Sequence, residues 1–186
     1  MNSKHNNIVD FDAFVKRQQA GSSEDEGVDW EKERDEWLGY LKELYRQTES
    51  FLEEYTKTGQ IKLTYRKIEL NEENIGSYNA DQAILKIGRQ EITMTPVGTL
   101  IIGAKGRVEV VGSAGRARLV LVDSEASGPR IKVNVSVGRK PEPMARERAP
   151  RKIKWAWKIA TSPPTIRYIE LTKESLFQML MEVANA

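Results

Sequence analysis

What chemistry this chain can attempt is narrowed first by the residues it lacks. It contains no cysteine, so disulfides, thiol catalysis and cysteine-ligated metals are excluded. Its single histidine, His5, lies in the polar run MNSKHNN, where it reads as an exposed side chain with no catalytic or ligand role. Without a second imidazole, a Ser-His-Asp arrangement has no base to activate its hydroxyl, and no motif marks a Ser-Lys dyad. Metal-dependent phosphodiester cleavage needs carboxylates gathered on adjacent strands. Asp123 and Glu125 close one strand, but the next opens with Arg130 and Lys132, a cation where the second carboxylate would stand. No catalytic residue, metal ligand or cofactor is therefore assigned, and the chain is expected not to be an enzyme.

The next candidates are two Gly-x-x-Gly-Arg blocks, formed by Gly103, Gly106 and Arg107 and by Gly112, Gly115 and Arg116. Backbone amides followed by an arginine can make an anion cradle. Such cradles usually open a helix, however, and these blocks lie between β-branched runs, so they read as two hairpin turns of a three-stranded meander over Val97 to Val122. Taken as four-residue loops, the turns set a register: Val111 opposite Arg116, Glu109 opposite Arg118, Val108 opposite Leu119, and on the other side Ile101 opposite Val108 and Leu100 opposite Glu109. One face then collects Ile101, Val108, Val110, Ala117, Leu119 and Leu121. The other carries Arg107, Glu109 and Arg118, with Glu109 and Arg118 as a cross-strand ion pair.

Charge supplies the strongest functional signal. The net charge is +2, but Met1 to Gln60 holds 8 basic and 14 acidic residues, whereas Pro129 to Ala186 holds 12 and 5. Between Arg130 and Lys158 there are ten cations, opposed only by Glu142 and Glu147. Two segments there alternate without exception. In Arg130 to Val137, isoleucine and valine at 131, 133, 135 and 137 oppose Arg130 and Lys132; in Lys152 to Ile159, Ile153, Trp155, Trp157 and Ile159 oppose Lys152, Lys154 and Lys158. As neighbouring strands they would place their cations on one sheet face and turn both late tryptophans into the core. Such a face suits an acidic protein surface or a polyanion. The tryptophans' inward parity leaves no base-stacking platform beside the cations, which favours a protein over a nucleic acid. A positive face can also serve only to keep a sheet from aggregating. Partner binding is accordingly assigned to Arg130, Lys132, Lys152, Lys154 and Lys158, with Trp30 and Trp37 as apolar anchors. The nucleic-acid alternative uses Arg139, Lys140, Arg146, Arg148 and Arg151 from a proline-containing, mobile loop expected at 138–151.

These residues need a scaffold, and a chain of 186 residues is long enough to bury roughly 70% of its unfolded surface as one domain. Asp29 to Tyr55 is the clearest helix: Trp30, Trp37, Leu38, Leu41, Leu44, Tyr45, Phe51, Leu52 and Tyr55 recur at helical spacing, Asp29 can cap its start, and Gly59 follows its end. The stripe is expected to cover the sheet. Its seven-residue steps through Trp30, Trp37, Leu44 and Phe51 also suit a helix-mediated homodimer, with Trp30 meeting the partner chain.

Ile61 to Leu70 changes parity near Arg66 and Lys67, which predicts a bulge there, and Asn71 to Asn79 reads as a polar connection. Ala83 to Ile87 and Glu91 to Thr95 form a hairpin around Gly88. Ile166 to Leu171 is a last strand. Thr172 then caps a final helix with an apolar face of Leu176, Phe177, Leu180, Met181 and Val183. Residues 1–28 read as an arm and acidic linker preceding a single domain over 29–186.

The expected fold is α+β: a long N-terminal helix and a C-terminal helix on a mainly antiparallel sheet of about seven or eight strands, either strongly curved or partly closed toward a barrel. The expected function is a non-catalytic interaction module, of adaptor or inhibitor type, whose partner is another protein; the alternative is a nucleic-acid-binding accessory protein. No apolar run reaches the ~18 residues of a membrane span and no secretory start is present, so a cytoplasmic location is expected, with no membrane and no small-molecule substrate as partner.

Overall fold

The computed structural model describes residues 29–99, 104–129 and 153–184. The chain divides into two compact units, Met1–Glu33 and Arg34–Ala186, and the sheet and its core belong to the second. The expected arm over 1–28, the strand over 130–137 and the basic loop over 138–151 lie outside the described residues.

Helix α1 spans Trp30–Lys57. The Lys32 amide donates to the Asp29 carboxylate at 3.0 Å, which is the expected N-cap, and Glu31 and Glu33 place negative charge in the first turn, where the helix dipole favours it. Among the described residues seven strands follow: β1 (Ile61–Glu72), β2 (Gly76–Ile87), β3 (Gln90–Gly98), β4 (Gly106–Val111), β5 (Arg116–Asp123), β6 (Trp155–Ala160) and β7 (Tyr168–Glu170). Helix α2, Lys173–Ala184, completes the described chain, with the Ser175 amide donating to the Thr172 hydroxyl at 3.2 Å.

Every strand pairs antiparallel with its sequence neighbours, in the order β1 to β7. The sheet is therefore an open meander; β1 and β7 do not meet, and the expected closure toward a barrel does not occur.

The β4–β5 hairpin has the register that its turn implies, with Val111 opposite Arg116, Glu109 opposite Arg118 and Val108 opposite Leu119. On the other side of β4 the expectation fails. Val108 faces Pro96 and Glu109 faces Thr95 rather than Ile101 and Leu100, which lie outside the described residues. Proline and glycine read as strand breakers at 96 and 98, yet β3 runs through both. The one-residue shift between them absorbs the proline's missing amide without ending the strand.

The bulge expected near Arg66 is absent too: β1 and β2 stay in register from Ile61 opposite Ile87 to Glu72 opposite Gly76, leaving a short turn where a long polar connection was expected. Burial does change parity there, from Ile61 and Leu63 to Ile68, Leu70 and Glu72. The cause lies across the sheet. The β2–β3 ladder ends at Ala83 opposite Met94 although both strands continue, so beyond that point the β1–β2 hairpin is no longer held in the plane of β3.

Both helices cover one face of the sheet. Trp37, Leu41, Leu44, Tyr45 and Leu52 of α1 and Leu176, Met179, Leu180 and Val183 of α2 pack against Ala83, Leu85, Ile92, Met94, Val108, Val110, Leu119, Leu121, Trp157 and Ile159. Each large side chain in this set contributes on the order of 1.5–3 kcal/mol by leaving water. The α1 stripe thus covers the sheet. Thr48, a polar residue on that stripe, is buried with its hydroxyl donating to the Leu44 carbonyl at 2.9 Å. On α2 the sequence reading misplaces one residue: Met181 is 58% exposed, and Met179 takes the core position.

Candidate functional site

Of the residues assigned to partner binding, Arg130, Lys132 and Lys152 lie outside the described residues, as do Arg139, Lys140, Arg146, Arg148 and Arg151. Lys154 is exposed just ahead of β6. Trp30 is half-buried in the first turn of α1. The other two are interior. Trp37 is fully buried and lies against Gly106, so closely that a Cβ there would stand 2.1 Å from a ring carbon. Its indole also meets that of Trp157 at 5.9 Å between centroids. Trp157 is buried and Trp155 half-buried, so both late tryptophans are withdrawn from solvent. Trp157 donates its Nε1–H to the Tyr40 carbonyl at 2.9 Å.

Lys158 has the parity expected of an outward residue, yet its side chain is only 4% exposed. Its ammonium donates to the carbonyls of Ser124 (2.7 Å) and Ala126 (3.0 Å) and pairs with the Glu170 carboxylate at 2.6 Å. The turn after β5 covers this part of the helix-free face. Alternation identifies the side of the sheet on which Lys158 lies, and the covering turn makes that side dry. As placed, neither Lys158 nor Trp37 presents a surface to a partner.

Register brings other cations together. Strand register gathers them in rows on the face that neither helix covers: Lys62 beside Lys86 and Glu91; Thr64, Ile84, Thr93, Val111 and Arg116 in the next row; Thr95, Glu109 and Arg118 in the third; and Arg107 beside Val120 in the fourth. Arg66, opposite Gln82, belongs to the same side, where Gln82 in turn donates to the Thr95 hydroxyl at 2.6 Å. Among the described residues of these rows in β1–β5, Lys62, Arg66, Lys86, Arg107, Arg116 and Arg118 share a face with Glu91 and Glu109, and the fourth row continues to the Lys158–Glu170 pair in β6 and β7. Lys86 lies 3.3 Å from Glu91. The expected Glu109–Arg118 pair is present at 3.8 Å, and Arg107 reaches the same carboxylate at 3.3 Å, so two guanidinium groups share one anion and a positive excess remains.

The second Gly-x-x-Gly block has a structural role. Its turn caps the end of α2: the Ala114 amide donates to the Val183 carbonyl at 2.9 Å, and the Ser113 hydroxyl to the Ala184 carbonyl at 3.0 Å. A Cβ at position 112 would stand 2.3 Å from the Val183 oxygen. The Ala114 amide is thus engaged by a helix carbonyl, at the negative end of the dipole, and the Gly112 amide donates to the Gly115 carbonyl at 3.0 Å within the turn.

Where the β2–β3 ladder ends, side chains replace it. The Tyr45 hydroxyl donates to the Asp81 carbonyl at 2.6 Å, and burial, reinforced by Asp81, pushes the phenol above its ordinary range. At the hairpin end Glu72, 8% exposed, accepts from the Tyr78 hydroxyl, the Thr99 amide (2.8 Å) and the Thr99 hydroxyl (2.8 Å). Lys105 pairs with Glu36 at 2.6 Å and stands over the rings of Trp155 and Tyr40, 5.7 and 5.9 Å from their centroids.

Concavities are shallow. A groove of about 760 Å³ runs between α1 and β1, and an apolar one of about 270 Å³ lies between Tyr55, Ile87, Phe177 and Leu180. Among the described residues no three His, Asp or Glu side chains are grouped as metal ligands, and no helix is long and apolar enough to cross a membrane. Comparison with protein-family models, with curated proteins and with solved structures returns no match.

Proposed function

We propose that this protein is a non-catalytic, cytoplasmic interaction module of adaptor or inhibitor type, which binds an acidic surface of another protein through its helix-free sheet face. One observation supports the reading: in the rows from Lys62 to Arg66 and across to Arg107, Arg116 and Arg118, strand register collects six cations with Glu91 and Glu109 on a single face, opposite the helices. Rows of small and β-branched side chains, Thr64, Ile84, Thr93 and Val111, separate the charges and leave a surface flat enough for a macromolecule. These rows hold no aromatic residue on which a base could stack, which favours an acidic protein over a single-stranded nucleic acid.

The test is a titration of the labelled full chain with poly-L-glutamate and with a duplex of random sequence across a salt series. Saturable binding of the polypeptide, weakened at least several-fold by an Arg107→Glu, Arg118→Glu double variant, supports the proposal. Binding of the duplex alone, with a steep loss of affinity as salt rises, replaces it with a nucleic-acid-binding accessory role.

A further inference from the structure

β1 is a terminal strand of the sheet, and among the described residues no strand pairs with its outer edge. The groove between this edge and α1 is lined on the strand side by Ile61, Lys62 and Leu63 and on the helix side by Arg46, Glu49 and Glu53. Two of the helix charges are paired within α1, Arg46 with Glu43 at 2.7 Å and Lys57 with Glu53 at 2.6 Å; Glu49 accepts from the Tyr65 hydroxyl at 2.6 Å and keeps its charge on the helix side. Lys62 and Arg66 form no ion pair with any described carboxylate; Arg66 donates to the Gln82 side-chain oxygen at 2.6 Å. The half-edge Ile61–Arg66 and its β2 partners Gln82–Ile87 contain Lys62, Arg66 and Lys86 and no acidic residue.

A free strand edge offers unpaired amides and carbonyls to an extended chain, and the side chains on either face select which chain is accepted. Lys62 and Arg66 lie on one face, four residues and roughly 13 Å apart. Leu63, half-buried, and Tyr65, 41% exposed, flank Thr64 on the other.

Resting on the acidic-partner reading and narrowing it, we propose that the Ile61–Arg66 edge takes an extended segment of a partner protein, with carboxylates four positions apart on one face and apolar side chains between them on the other. A second copy of β1 does not satisfy this pattern. Its carboxylates, Glu69 and Glu72, are three apart and so project to opposite faces.

The probe is a fluorescein-labelled peptide, Gly-Ser-Glu-Val-Thr-Val-Glu-Ser-Gly, titrated with the full chain and followed by anisotropy. Saturable binding is expected for this peptide and not for its counterpart with lysine in place of glutamate. A Lys62→Glu, Arg66→Glu double variant should lose affinity for the first about tenfold or more and gain affinity for the second; this exchange of preference also shows that the variant is folded. Two further peptides, N-methylated on alternate residues, test the backbone pairing, and at least one of them should fail to bind.

Equal binding of both methylated peptides, unchanged affinity in the double variant, or no binding of the glutamate peptide overturns the proposal. So does sedimentation showing a dimer that the double variant dissociates, since the edge would then be taken by a second copy. If the peptide fails while poly-L-glutamate still binds and still depends on Arg107 and Arg118, strand addition falls and the sheet-face reading stands.

Discussion

Trp37 packs against the backbone of Gly106, with no room for a single added carbon between the ring and the strand. The contact joins α1 to the first residue of β4, and glycine is required there because the indole occupies the space a side chain would fill. Gly106→Ala should destabilise the fold by about 1–3 kcal/mol, since an overpacked core must shift an aromatic ring or a strand. Gly115→Ala, at a position with nothing within 4 Å, is the matched control and should change stability little. Urea denaturation of the two variants checks the difference.

Lys158 supplies a second expectation. Replacing it with methionine keeps the apolar stem but leaves the Ser124 and Ala126 carbonyls without their donor, at a cost of about 2–4 kcal/mol. Glu170→Gln should cost less, about 1–2 kcal/mol: the carboxylate itself is two-thirds exposed, but its loss leaves the buried ammonium with the two carbonyls and no counter-charge. Equal losses in the two variants, read from denaturant midpoints, would contradict this account.

The buried phenol of Tyr45 makes stability depend on alkaline pH. Its folded pKa is raised, first by burial, so above a pH of about 10 the unfolded chain releases a proton that the folded chain keeps. The contribution is complete below the unfolded value and is lost as pH rises, at up to about 1.4 kcal/mol per pH unit. Burial raises Tyr65, Tyr78 and Tyr168 in the same direction, so thermal melts from pH 8 to 11 should show this fall and Tyr45→Phe should lessen its slope without abolishing it, while losing about 1 kcal/mol at neutral pH with the Asp81 hydrogen bond.

At the other end of the sheet, Gly112→Ala should free the last turn of α2, because the new methyl would collide with the Val183 carbonyl. Hydrogen exchange should quicken over Met179–Ala184 and stay unchanged over α1, a local loss that a general destabilisation would not reproduce.

How much of this was legible in the residues depends on the range of the signal. The β4–β5 register followed from Gly112 and Gly115, because a short turn and a period of two leave one pairing that separates Val108 and Leu119 from Glu109 and Arg118. The helix caps at Asp29 and Thr172 were equally local. Pairing across β3 was misread because Pro96 and Gly98 read as a strand end, and only the neighbouring strand shows that β3 continues. Lys158 failed for a related reason: alternation gives a side chain its face, whereas what covers that face comes from the turn at Ser124 to Ala126. The basic surface was expected where cations are dense in sequence. Lys62, Arg66, Lys86, Arg107, Arg116 and Arg118 are scattered over four strands, and only register brings them together.

Because strand order follows chain order, each hairpin can close as soon as its own residues emerge during synthesis. The Arg34–Tyr45 part of α1 cannot do the same. Tyr40 receives the Trp157 indole across 117 positions, and Glu36 receives Lys105 across 69. The docking of this stretch is therefore completed only by one of the latest strands, and a nascent chain halted before Trp157 would carry Trp37 without its aromatic neighbour.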